Sequence, residues 1–193
     1  MIYSRLRKSI GVLVLAVLFM PLIAKAAVPE WQIVPSESNI TFTGTQNNAP
    51  ISGQFKKFSG SIAFDPNQLN ESKIKIVIDT NSVSTSYADF TSTLLTPDWF
   101  DVKLFPEATF QASQFTKTGQ NTFEANGNLT IRDKTLPVKV VFTGEELSKT
   151  KASVKGSTSI KRTAFGVGAG EWASTDEVQD DVKINFTITA IKK

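Results

Sequence analysis

A chain of 193 residues with 21 Lys and Arg against 18 Asp and Glu carries a formal charge of +3, and it has no His and no Cys. That inventory excludes zinc centres built on nitrogen or sulfur, haem held by His or Cys, disulfides, and Ser-His or Cys-His nucleophilic catalysis. Four of the 21 basic residues lie within positions 1–26 and none of the 18 acids does, so the remainder has a net charge of −1. The basic excess that nucleic-acid binding needs is therefore absent from it.

The first element is a leader. Arg5, Arg7 and Lys8 precede an apolar run from Ile10 to Ile23, and Ala24-Lys25-Ala26 supplies the small-x-small pattern of a signal-peptidase site. The pattern predicts a signal peptide over 1–26, cut before Ala27, and release into the periplasm. The fourteen apolar-run residues fall short of the roughly 20 a spanning helix needs. Residues 27–193 then form one domain, large enough to bury roughly 70% of its unfolded surface without staples.

Period-two alternation recurs along that domain and reads as half-buried strands. Ile40 and Phe42 are followed by Ile62 and Phe64, then Ile74, Ile76 and Ile78. Later come Phe110 and Ala112, then Phe123 through Ile131, Val138 through Phe142, Val154 through Ile160, and Ile184 through Ala190. The expected strands are eight: 38–44, 52–65, 72–80, 107–117, 121–132, 135–144, 151–162 and 182–191. Short turn clusters join most of them, which implies antiparallel neighbours. An all-β barrel or sandwich follows, and closure into a barrel removes the exposed edges.

One stretch departs from the alternation. Ser86 and Asp89 have capping-box spacing, Tyr87, Phe90 and Leu94 share a helical face, and Pro97 ends the pattern. A short helix near 86–95 is expected, running into Trp99, Phe100 and Phe105. These aromatics either cap a ligand tunnel or plug the barrel end as ordinary core. Arg162, at a strand end, either pairs with an anionic lipid head through its planar fork or makes a surface salt bridge. The glycines of Phe165-Gly-Val-Gly-Ala-Gly170 are followed by no amphipathic helix, so they do not make a phosphate loop. Glu145-Glu146 and Asp180-Asp181 read as solvated turn charges. Asp98 and Asp101 are the best general-base candidates, but neither has a partner acid in the pattern.

Five ordered motifs carry a resemblance. Trp31-Gln-Ile-Val-Pro-Ser-Glu-Ser-Asn-Ile-Thr-Phe42 opens the series, and Gly53-Gln-Phe-Lys-Lys-Phe-Ser-Gly60 follows, with Phe64-Asp-Pro66. Trp99-Phe-Asp101 with Phe105-Pro-Glu-Ala-Thr-Phe110 comes next, then Gly127-Asn-Leu-Thr-Ile-Arg-Asp-Lys-Thr-Leu-Pro-Val138, then Arg162-Thr-Ala-Phe-Gly166. Together they resemble the YceI-like family of secreted, lipocalin-like polyisoprenoid-binding proteins, over about 31–191. The resemblance implies an extended eight-stranded antiparallel barrel with a helical insertion, enclosing a polyisoprenoid or quinone-like lipid. Many members carry a His soon after the opening strand's Ser; here Thr45-Gln-Asn-Asn-Ala-Pro50 stands instead. The subgroup it looks closest to is associated with electron-transfer membrane partners.

The combined expectation is a carrier with no catalytic residue, metal or cofactor. Its apolar wall and lid are Phe90, Leu94, Trp99, Phe100, Phe105, Phe110, Leu129, Phe142, Ile160 and Phe165, and Arg162 holds the head group. The alternatives are an envelope interaction module using loop 163–181, with a filled core, or a carboxylate-dependent enzyme.

Overall fold

The computed structural model describes residues 27–193; the expected signal peptide, 1–26, lies outside the described residues. Its strands are β1 (Glu30–Ile33), β2 (Asn39–Gln46), β3 (Ala49–Phe55), β4 (Phe58–Ala63), β5 (Lys73–Asp79) and β6 (Val83–Thr85), then the helix α1 (Ala88–Leu94). They continue with β7 (Glu107–Lys117), β8 (Thr122–Ile131), β9 (Lys134–Ser148), β10 (Lys151–Lys161) and β11 (Asp181–Lys192). Every pairing is antiparallel, and β1 pairs with both β4 and β11, which closes the sheet. No helix among the described residues is long and apolar enough to cross a membrane.

The eleven strand segments are eight staves, three of them broken. A 3-10 turn at Pro35–Glu37 divides β1 from β2, Lys56-Lys57 divide β3 from β4, and a turn at Thr80–Ser82 divides β5 from β6. Pro35 has no N–H for a ladder, so a break there is expected. At each break a serine replaces the missing ladder bonds. The Ser38 hydroxyl accepts from Thr189 N–H at 3.0 Å and lies 2.8 Å from the Val34 carbonyl. The Ser82 hydroxyl accepts from Lys57 N–H at 3.0 Å and donates to Asp79 O at 2.6 Å. The closed eight-stave antiparallel barrel agrees with the sequence; β1 falls in the Trp31–Phe42 motif of the resemblance, outside the strands read from alternation, and β6 and the breaks were not foreseen.

Above the breaks the wall is incomplete. β6 pairs with β3, whereas β7 pairs with β5 and β8. α1 and residues 97–106 occupy the side between β6 and β7. The helix forms without the expected capping box. Tyr87, not Ser86, is the N-cap and makes no side-chain cap bond. Thr91 Oγ1 accepts from Thr85 N–H at 3.0 Å and pairs with the Thr85 hydroxyl at 3.1 Å. The threonine pair ties the helix to β6, which a capping box would not do.

The interior divides into two halves. At the end away from α1, Phe64 meets Phe115, Phe123 and Phe142 with ring centroids 5.4 to 5.8 Å apart, all three edge-to-face. These rings, with Ala112, Ala125 and Val140, fill that half as packed core. At the α1 end a second cluster of Ala108, Leu129, Ile131, Phe165 and Val167 coats the wall.

Candidate functional site

The α1 end of the barrel encloses a cavity of about 320 Å³. Its floor and sides are inward-register residues of the staves: Ile40 and Phe42 from β2, Ile78 from β5, Leu129 from β8, Ile160 from β10, Ile184 from β11. Phe90 and Leu94 of α1, with Trp99 and Phe100, close the side where β6 and β7 part. Phe100 packs edge-on against Phe55 at 5.7 Å, and Phe55 against Phe42 at 5.6 Å. The polar residues that border it are Thr41, Thr45 and Gln46 of β2, Asp89 and Thr93 of α1, and Arg162 and Gln179. A space of about 320 Å³ is near the lower bound of ligand sites, and its lining can offer contact but few directed bonds.

Arg162 borders the cavity yet belongs to the loop. It is 2% exposed. Its Nε donates to Gln179 O at 3.2 Å, Nη1 to Val167 O and Gly168 O at 3.0 and 3.1 Å, and Nη2 to Ser174 O and Val178 O at 2.9 and 2.8 Å. A guanidinium has five N–H donors, and five carbonyls take them. The head-group role expected for Arg162 is therefore corrected, because no donor is left for a ligand oxyanion. Nor is it the surface salt bridge of the other reading. Burial pushes the guanidinium below its ordinary value, and the charge of Asp180 opposes that shift.

The glycines explain how a loop can wrap one side chain. Gly166, Gly168 and Gly170 have φ of 68°, 81° and 61°, a region open to glycine at little cost. A Cβ on Gly168 would strike Arg162 Nη1, so that position also needs glycine for close approach. Asp180 completes the loop as a positioned acceptor, not a free surface charge. It accepts from Thr163 N–H at 3.0 Å and from the Thr163 hydroxyl at 2.8 Å. Burial pushes its carboxyl up, but those bonds and the charges of Lys161 and Arg162 outweigh it and hold the value below the usual range.

Arg132, which the sequence reading passed over, fixes the lid. Its Nη1 donates to Pro97 O, Trp99 O and Gly166 O at 2.7 to 2.9 Å. Trp99 also packs against Trp172 in a tilted arrangement, ring centroids 5.7 Å apart, and the Arg162 guanidinium lies 5.7 Å from its ring centroid. The carbonyl of Asp98, rather than its carboxylate, is the structural group: it accepts from Gly168 and Ala169 N–H at 2.8 and 2.7 Å.

Of the residues expected at the ligand, Phe90, Leu94, Trp99, Phe100, Leu129, Ile160 and Arg162 border the cavity. Four do not. Phe142 lies in the aromatic plug, because its register carries it to the filled end of β9. Phe110 packs between plug and cavity clusters. Phe105 turns toward Arg132, whose guanidinium sits 5.6 Å from its ring. Phe165 is 2% exposed and serves as core beneath the loop. Ile40, Phe42, Phe55 and Ile184 were missed as lining. Their alternation was visible, but it marks the inward face and not the depth.

Fold and cavity define a class: a closed antiparallel barrel, filled at one end and hollow and apolar at the other. The family model described as the YceI-like domain matches residues 31–190, and the chain belongs to that family. A UPF0312 protein of Azotobacter vinelandii is 32% identical over 131 residues, 65% of this chain and 68% of the relative. The crystal structure of Burkholderia cenocepacia BcnA superposes with a TM-score of 0.78 at 34% identity, covering 81% of this chain and 98% of that one. A polyisoprenoid binding domain from Saccharophagus degradans, implicated in plant cell wall breakdown, shares the fold at a TM-score of 0.69. Its identity is 15%, over 87% of this chain and all of that domain.

Proposed function

We propose that this protein is a periplasmic carrier that holds the apolar chain of an isoprenoid or isoprenoid-quinone lipid in the hollow half of its barrel and catalyses no reaction. The observation that carries the reading is the cavity: its wall is apolar, and the one guanidinium that borders it is saturated by backbone carbonyls. Burial of apolar surface at about 25 cal/mol per Å² supplies affinity without directed bonds. The polyisoprenoid-binding neighbour and the family membership support a lipid as the occupant. Arg162 being engaged, the lipid's head lies at or beyond the rim, and an exported carrier could present it there to a membrane or membrane-protein partner.

Extraction of the purified protein into organic solvent, followed by mass spectrometry, tests the reading. A near-stoichiometric prenyl lipid is expected, and its absence from protein purified without detergent would refute it. Leu129→Trp, which puts an indole into the cavity, should purify folded but empty. Intact mass of exported material should begin at Ala27; retention of residues 1–26 would refute release by signal peptidase.

A further inference from the structure

The two ends of the barrel differ in charge. At the α1 end, the connections and the strand residues that flank them are 46–49, 85–107, 131–134 and 161–181. They hold ten carboxylates against five cations, whereas the rest of 27–193 holds eight against twelve. Two of the five cations have neighbouring partners: Lys134 pairs with Asp133 at 3.0 Å and Lys161 with Asp181 at 2.7 Å. Arg162 is caged by carbonyls, so Lys103 and Arg132 alone remain against eight carboxylates. Acidic residues stand on both sides of the cavity mouth. Asp89 of α1 borders the cavity, and Asp176 and Glu177 precede its lining residues Val178 and Gln179; all three are exposed. The Glu177 carbonyl accepts from Asn47 N–H at 2.8 Å, which sets that loop beside the tip of the β2–β3 hairpin.

The same end carries uncovered apolar surface. Tyr87 and Leu104, 65% and 66% exposed, are the two most exposed large apolar side chains among the described residues. Both lie on the segment that fills the side between β6 and β7. Tyr87 packs on Phe90 with ring centroids 6.1 Å apart, and Phe90 borders the cavity, so apolar surface runs from outside the helix to the cavity. Aromatic groups left uncovered in this way are favoured at protein interfaces.

Accepting the lipid-carrier reading, we propose that the α1 end docks on a basic protein face, which receives the lipid, and not on the bilayer itself. Anionic lipid attracts clusters of Lys and Arg and repels a surface with this balance of charge. A basic protein face is complementary to it, and the attraction speeds their encounter. Tyr87 and Leu104 then supply apolar contact beside the opening.

The test follows transfer of a dansyl-labelled polyprenol from the purified mature protein to three kinds of vesicle. One is phosphatidylcholine alone, one is mixed with phosphatidylglycerol, and one carries an anchored lysine-rich peptide as the basic face. At low salt, transfer to the peptide-bearing vesicles should be at least about tenfold faster than to phosphatidylcholine, and transfer to the phosphatidylglycerol vesicles slower. Both differences should vanish at about 1 M salt, where the screening length is roughly 3 Å. Asp176→Asn with Glu177→Gln should cut the peptide's advantage at least about threefold. Glu30→Gln with Glu37→Gln, at the filled end, should not. Fastest transfer to phosphatidylglycerol vesicles would overturn the basic partner in favour of the bilayer. Equal rates to all three would overturn docking guided by charge, and either result leaves the carrier reading intact. A protein that takes up no labelled polyprenol would overturn the carrier reading and the docking together. The wild-type rates and their salt dependence decide the matter even where a variant does not fold.

Discussion

Arg162 is a buried cation whose neighbours in hydrogen bonding are all backbone carbonyls. The cost of desolvating it is offset by five charge-assisted bonds, and the loop in turn has its carbonyls satisfied. Truncation to Ala would leave five acceptors without donors, at about 1 to 3 kcal/mol for each that water cannot reach. A melting temperature lower by about 10 °C is expected. Arg162→Lys should recover only part of it, since a point ammonium with three donors cannot fill a five-point cage. Because the arginine does not face a head group, anionic and neutral prenyl ligands should weaken alike in Arg162→Ala; selective loss of the anionic ligand would contradict the structure. Asp180 gives a pH dependence. Its folded value is depressed, so the stability it adds is complete above its unfolded value of about 3.9 and fades as pH falls through the folded one. Thermal melts from pH 7 to 3 should show the wild type losing its advantage over Asp180→Ala only below about pH 4. The sequence showed a strand-end arginine followed by glycines. It could not show the cage, because the carbonyls come from backbone up to 17 residues away and carbonyls leave no mark on residue type.

At the scale of elements, the strands were legible and their interruptions were not. Alternation from Ile40 to Ala190 reports which face is inward, and a broken stave keeps that alternation on both sides of the break. The repairs at Ser38 and Ser82 use residues that are common in turns, so their special role appears only with their partners. The lid behaves in the same way. The sequence suggested a helix and an aromatic run, and both exist, but Arg132 holds them to Gly166 and to the barrel. Its substitution by Ala should cost about 1.5 to 3 kcal/mol. The effect should be local. Hydrogen exchange at the amides of Trp99 to Leu104 and of Gly166 to Ala169 should speed up, while the long ladder between β8 and β9 keeps its protection. Equal acceleration in both would mean that Arg132 supports the whole barrel instead of the lid.

For the whole molecule, the division of the barrel into a filled and a hollow half assigns stability and binding to different residues. Leu129 and Phe142 illustrate why alternation could not separate them. Both sit on the inward register, and only the stagger of the staves and the packing of Phe64 against three other rings decide which depth is solid. A ligand that binds only the folded state stabilises it by RT ln(1 + [L]/Kd), about 2.7 kcal/mol at a hundred times Kd. For a domain of this size that is a rise in melting temperature of roughly 5 to 10 °C. Delipidated wild type should therefore melt lower than protein reloaded with farnesol. The two halves should then respond oppositely to substitution. Phe142→Ala opens a void in the plug and should cost about 3 to 5 kcal/mol, yet the farnesol-dependent rise should persist, because the cavity wall is unchanged. Leu129→Trp fills the hollow half, so its melting temperature should hardly respond to farnesol while its basal stability stays close to wild type. Differential scanning calorimetry on the three proteins, each with and without ligand, reads both quantities at once. If Phe142→Ala abolished the ligand-dependent rise while folding normally, the ligand would reach the far end and the division of the barrel would be wrong. If Leu129→Trp kept the full rise, the ligand would bind outside the barrel altogether.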